Sequence, residues 1–286
     1  MFAGVVVPWT TPPIVSGFLT NGWQAAILQA VCLAMTFFIY LPFAKKMDQL
    51  TVAQENETSD IIHIKDDIQS IEFKNVSFGF GDEDILKNLN FKVQPSSINV
   101  ISGELSSGKS LLINLMSGIY APTSGHILYN DVSSKNLTQD QIRRGISIHT
   151  DDIDVFKGTV LENIQLGNEK ITVEKINHIA QKIGIDDFGT KFTNGFLTKI
   201  QDGNSQLSYS NKKIILLLRA LATDNKIIIL EDPYDGLSKE IKEKMIAFLQ
   251  ELAKEKTIIV VTQDDDFIQK AHQHFHMING QLETKK

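Results

Sequence analysis

The sequence is short of cysteine, short of basic charge and, along its first 43 residues, without any charged side chain. The single cysteine, Cys32, rules out an intramolecular disulfide and argues against a thiolate metal site. Such a chain suits a reducing compartment. Lysine and arginine number 28 against 34 acidic residues, for a net charge of −6. A protein that grips a nucleic-acid backbone needs a basic surface, so no nucleic-acid partner is expected. Internal repeats and low-complexity tracts are also missing.

The lack of charge in residues 1–43 has a second meaning. Residues 23–43 form an apolar run of roughly the 20 residues that a helix needs to cross a bilayer core. Trp23 and Tyr40 stand near its ends, where aromatic side chains favour the interface. Lys45 and Lys46 follow, and the positive-inside tendency places that end in the cytoplasm. A signal peptide does not fit, because the basic residues come after the run. A buried helix of a soluble domain is the competing reading, since the run contains two glutamines. Ahead of it, Pro8, Pro12 and Pro13 prevent a regular helix over residues 5–19, which reads as a re-entrant or interfacial loop. The string V-P-W-T-T-P-P-I-V-S-G-F-L-T-N-G-W-Q-A-A-I-L-Q, with I-Y-L-P-F beyond it, resembles the C-terminal end of a sugar permease. That family is the lactose/cellobiose-type enzyme IIC of the phosphotransferase system. The resemblance covers residues 1–48 only, and one span cannot build a sugar path.

Residues 49–69 are polar and acidic and read as a linker. From residue 70 the pattern changes. S-I-E-F-K-N-V-S-F, residues 70–78, alternates as a half-buried strand does, and residues 85–93 broadly repeat it. I-N-V-I-S, residues 98–102, is a short apolar strand, followed by G-E-L-S-S-G-K-S at 103–110 and a helical run, L-L-I-N-L-M-S-G. Strand, glycine loop with Lys-Ser, then helix is the context of a P-loop. Gly103 and Gly108 permit backbone angles that let successive N–H groups turn toward phosphate oxygens. A helix starting near Lys109 adds its positive dipole end. Lys109 supplies a point charge for the β- and γ-phosphates, and Ser110 a hydroxyl for Mg²⁺.

Over about residues 71–286 the chain resembles the ABC ATPase family, exporter type. The resemblance implies an α/β P-loop NTPase fold of ABC ATPase type, here preceded by one transmembrane helix. ATP and Mg²⁺ are the implied cofactors. Phe80, in V-S-F-G-F, stands where the family stacks an aromatic ring on adenine. A-P-T-S-G-H-I-L-Y-N-D at 121–131 matches the stretch after the first helix. Residues 155–164 resemble the segment that contacts the membrane domains in exporters. Residues 198–206 resemble the loop before the signature motif, with Asp202 in place of its usual Glu.

Several positions depart from the family pattern. After I-I-I-L come Glu231 and Asp232, the reverse of the usual Asp-Glu, so Glu231 takes the metal position and Asp232 the water-polarising one. The signature motif reads L-S-Y-S-N at 207–211, which keeps Ser208 but puts Tyr209 and Ser210 in place of glycines. Gln263 replaces a histidine that meets the γ-phosphate, and Asp151 falls at the family's Q-loop glutamine, beside the metal. Within the P-loop, Ser106, Ser107 and Leu111 are also expected to bind the nucleotide, although Ser106 replaces a usual glycine and Leu111 a usual Thr or Ser that meets the α-phosphate. A misplacement of about an ångström can cost roughly 10²-fold in rate. The expectation is therefore a membrane-tethered ATP-binding module with slow or absent hydrolysis. It would pair with a second ABC-type ATP-binding domain, in a homo- or heterodimer, and with a membrane domain from another chain. The ATP-binding part would lie on the cytoplasmic side of the cell membrane. A non-hydrolysing regulatory module with a vestigial pocket is the alternative.

Overall fold

The computed structural model describes residues 67–285, apart from residue 82 and residues 201–206. The chain divides into two units, Met1–Asp60 and Ile61–Lys286, and every described residue belongs to the second. The expected membrane span at 23–43, nearly all of the expected linker, and Asp202 lie outside the described residues. Among the described residues, no helix is long and apolar enough to cross a membrane.

The strands in chain order are β1 (Ile71–Phe80), β2 (Glu83–Lys92), β3 (Ile98–Gly103), β4 (Ser124–Tyr129), β5 (Val132–Ser133), β6 (Ile146–His149), β7 (Gly158–Thr159), β8 (Lys199–Ile200), β9 (Ile227–Glu231), β10 (Thr257–Val261), β11 (Gln273–Ile278) and β12 (Gln281–Lys285). Between them run the helices α1 (Lys109–Met116), α2 (Gln139–Gly145), α3 (Val160–Gln165), α4 (Val173–Lys182), α5 (Tyr209–Leu221), α6 (Lys239–Leu252) and α7 (Asp265–Gln269).

A central sheet has the order β12-β11-β3-β10-β9-β6, and a smaller antiparallel sheet has the order β2-β1-β4-β5. In the central sheet β11, β3, β10, β9 and β6 run parallel, and β12 joins antiparallel at the edge. Parallel strands covered on both faces read as continuous apolar runs, because alternate side chains serve two different cores. Ile227 and Ile229 of β9, with Ile259 and Val261 of β10, face a core shared with Phe73, Val76 and Leu112. Ile228, Leu230, Ile258 and Val260 face the other core, built with α4, α5 and α6. The central strands are thereby clamped from both sides, and their C-terminal ends make a fixed platform. In open α/β sheets, ligands bind beyond those ends.

Candidate nucleotide site

Strand β3 is buried at every position and delivers Gly103 to the platform between β11 and β10. The chain then turns sharply, with the Ser107 amide donating to the Glu104 carbonyl at 3.2 Å. Two close approaches explain the glycines. A Cβ on Gly103 would lie 2.4 Å from the Met277 carbonyl oxygen, and one on Gly108 would lie 2.6 Å from Leu86 Cδ2. Gly108 has φ 104° and caps α1, which carries no side-chain cap and no acid in its first turn. The positive end of that helix therefore faces the loop. Ser106, where the family uses glycine, sits in the left-handed region at φ 61°.

Several predicted residues meet at this loop. Lys109 Nζ donates to the carbonyls of Gly103 and Glu104, both at 2.7 Å. Gln263 Nε2 donates to the same Gly103 carbonyl at 2.6 Å. Ser110 Oγ donates to Glu231 Oε1 at 3.0 Å. Ser107 Oγ is buried without a hydrogen-bond partner. Leu111 packs at the margin of the core that β1 shares with α1.

The charges at the site act on one another. Burial pushes the Lys109 ammonium down, while Asp232 and Glu231 pull it up, and burial prevails. The Glu231 carboxyl is raised mainly by burial, against the Ser110 hydrogen bond; Asp151, Asp152 and Asp232 raise it further. Asp232 follows directly after β9 at φ 36°, its amide donating to the Val261 carbonyl at 3.0 Å. A short polar side chain tolerates this left-handed geometry better than most.

The other predicted residues lie around this group. Phe80 ends β1 and is 60% exposed, with its ring edge-on to Phe78 and to Tyr120 at centroid distances of 5.2 and 5.8 Å. Ser208 caps α5, its hydroxyl accepting from the Asn211 amide. Asp151 points its Oδ1 at Lys213 Nζ, 3.3 Å away. No cluster of three or more His, Cys, Asp or Glu side chains arranged to hold a metal occurs among the described residues.

A P-loop at the end of a central parallel strand, with an acid from β9, two strands away, on its serine, narrows the possibilities. A sequence model of the family described as ABC transporter matches residues 86–235, just over half of the chain. The chain belongs to the ABC transporter family. The match spans that family's nucleotide-binding domain. A probable ABC transporter ATP-binding/permease protein of Haemophilus influenzae is 30% identical over 233 residues, covering 81% of this chain and 42% of the relative. A putative export ATP-binding/permease protein of Rickettsia bellii is 27% identical over 291 residues, covering 99% of this chain and 48% of that protein. The chain thus spans less than half the length of these curated relatives. A solved structure of a bacterial Atm1-family ABC exporter with ATP bound superimposes with a TM-score of 0.71. At 23% identity over 79% of this chain and 40% of that one, it shows the shared fold. The likeness of residues 1–48 to a sugar permease finds no support among these relatives, and the R. bellii alignment runs across nearly the whole chain.

The family's segment at 155–164 is built on polar contacts that the sequence did not announce. Asn163 accepts from the Phe156 amide at 2.9 Å and donates back to the Phe156 carbonyl at 2.9 Å. The buried Arg219 of α5 donates to the Asn163 carbonyl at 2.8 Å. Phe156 is left 43% exposed. Two further site residues escaped notice, Lys213 and Asp235. The signal for Lys213 was its place at the start of the apolar run of α5, one turn after Tyr209.

Proposed function

We propose that this chain is the ATP-binding component of an ABC-type exporter, binding Mg-ATP with slow or absent hydrolysis. The observation that carries it is the Ser110 hydroxyl on the Glu231 carboxylate at 3.0 Å, beside the Lys109 ammonium at the head of α1. These residues fit a triphosphate with a divalent cation. The loop is shaped by backbone approaches too close for a Cβ, and the Ser107 hydroxyl stands buried and unpartnered on its wall. Lys109 would hold the β- and γ-phosphates, and Ser110 with Glu231 the cation. When bound, Mg²⁺ neutralises phosphate charge. Gln263 can donate a hydrogen bond but cannot carry a proton. Asp232 offers a carboxylate one methylene shorter than the glutamate the family uses there.

Phe80 presents an exposed ring for the adenine, since aromatic faces accept any base. The partners that follow are a second ABC-type ATP-binding domain, whose site Ser208 would complete, and a membrane domain supplied by another chain. Location at the cell membrane, with this domain on the cytoplasmic side, follows from the same reading. Hydrolysis is tested with a revertant carrying Glu231→Asp, Asp232→Glu, Gln263→His, Tyr209→Gly, Ser210→Gly and Asn211→Gln. Turnover rises at least about 10²-fold on this account. An unchanged rate contradicts it.

A further inference from the structure

Lys213 is the least expected residue near the site. It lies one turn into α5, where the polar head of the helix gives way to an apolar run, and its side chain is only 3% exposed. A buried ammonium must be paired. Its Nζ lies 3.3 Å from Asp151 Oδ1 and 3.3 Å from Asp235 Oδ2. The same Asp235 oxygen accepts from the Tyr209 hydroxyl at 3.3 Å, and the ammonium stands 5.7 Å from the centre of the Tyr209 ring. Ser210 Oγ adds a contact to the Gly236 carbonyl at 3.4 Å. Three segments distant in sequence are thus joined: the turn after β6, the head of α5 and the loop after β9.

We propose that Asp151, Lys213, Asp235 and Tyr209 form a clamp within this one chain, and that it holds the signature loop against the chain's own post-β9 loop. Asp151 then serves as one arm of the clamp and does not ligate metal. Two departures from the family pattern, Asp151 and Tyr209, cease to be independent losses and become partners of one cation. Burial pulls the Lys213 ammonium down, but Asp151 and Asp235 outweigh it, so the group stays charged. His149 is buried beside Lys213 and Arg219 without a hydrogen-bond partner and stays neutral, so it supplies no competing charge. What the clamp does to a second domain rests on the nucleotide-site reading. The clamp itself does not, and is tested without nucleotide.

The test is a double-mutant cycle on the full chain, with Asp151→Asn, Lys213→Met and both together. Each single substitution should lower the nucleotide-free Tm by about 2–4 °C: Lys213→Met removes the cation that both half-exposed acids face, and Asp151→Asn leaves the buried ammonium with Asp235 as its one acid partner. The double variant should lose clearly less than the sum. Amide exchange should quicken at residues 207–213 and 232–237 in both singles, while the β1–β2 hairpin stays protected. The Mg²⁺ concentration that half-supports ATP binding should change less than about twofold in Asp151→Asn. Additive Tm losses overturn the proposal, as does unchanged exchange at 207–213. An unchanged Tm with a tenfold rise in the Mg²⁺ requirement overturns it in favour of metal ligation. Should Lys213→Met fail to fold, Asp235→Asn takes its place. Losing both acids then leaves the ammonium alone and costs more than the two single losses summed; a simple sum overturns the clamp. Absence of ATP binding with a coupled cycle refutes the nucleotide reading and leaves the clamp standing.

Discussion

His149 makes the protein sensitive to mild acid in a way that can be worked through. It sits at the end of β6, opposite Leu230 of β9, and is 1% exposed. Neither ring nitrogen has a hydrogen-bond partner. Burial pushes its pKa down to about 4, and the charges of Lys213 and Arg219 add to the shift against Asp151. In the unfolded chain the imidazole returns to about 6.5. As pH falls below that value, the unfolded state takes up a proton that the folded state refuses, so stability drops with falling pH. Between pH 7 and pH 5 the loss from this group is about 2 kcal/mol, and it nears 3 kcal/mol at pH 4. For a domain of this size, 2 kcal/mol is about 4–8 °C in Tm. Thermal melts of the full chain and of His149→Leu, followed by circular dichroism from pH 7 to pH 5, isolate the term. The variant should lose less Tm than the parent by that amount. Parallel curves would show that His149 is solvated or paired in the fold, and the reasoning would fail.

Other expectations are simpler to state. Ser106→Gly relieves a left-handed backbone and should raise stability by about 0.5–1 kcal/mol in urea denaturation; a loss would mean that the serine hydroxyl matters more than its φ. Arg219→Met strips donors from the buried Asn163 carbonyl and side chain and should cost about 2–3 kcal/mol, with faster exchange at Phe156. Asp232→Glu alone places a longer side chain at φ 36° and should lower the Tm by a few degrees (about 1 kcal/mol), whereas Glu231→Asp should leave it nearly unchanged.

Most of the P-loop was legible in the sequence because its causes are local. An apolar strand, two glycines and a Lys-Ser pair dictate strand, turn and helix within a short stretch, and β3 and α1 stand where the pattern placed them. The reversed acidic pair was legible too, since its strand is a plain apolar run. The neighbours that decide a side chain's duty were not. Nothing in the sequence around Asp151 shows that the Lys213 ammonium lies beside it. Tyr209 reads as a replaced glycine, with nothing to show that its hydroxyl meets Asp235. His149 carries no local mark of the burial that β9 imposes on it. Each of these depends on contacts between segments far apart in the chain, where periodicity carries no information.

The central claim is that the P-loop binds nucleotide. The most direct measurement is the affinity of the full chain for Mg-ATP by calorimetry, beside Lys109→Ala. The account predicts saturable binding with a Kd from about 1 μM to about 1 mM, a free energy of roughly −8 to −4 kcal/mol, and its loss in the variant. No binding by the parent chain, or equal binding by both proteins, would contradict it.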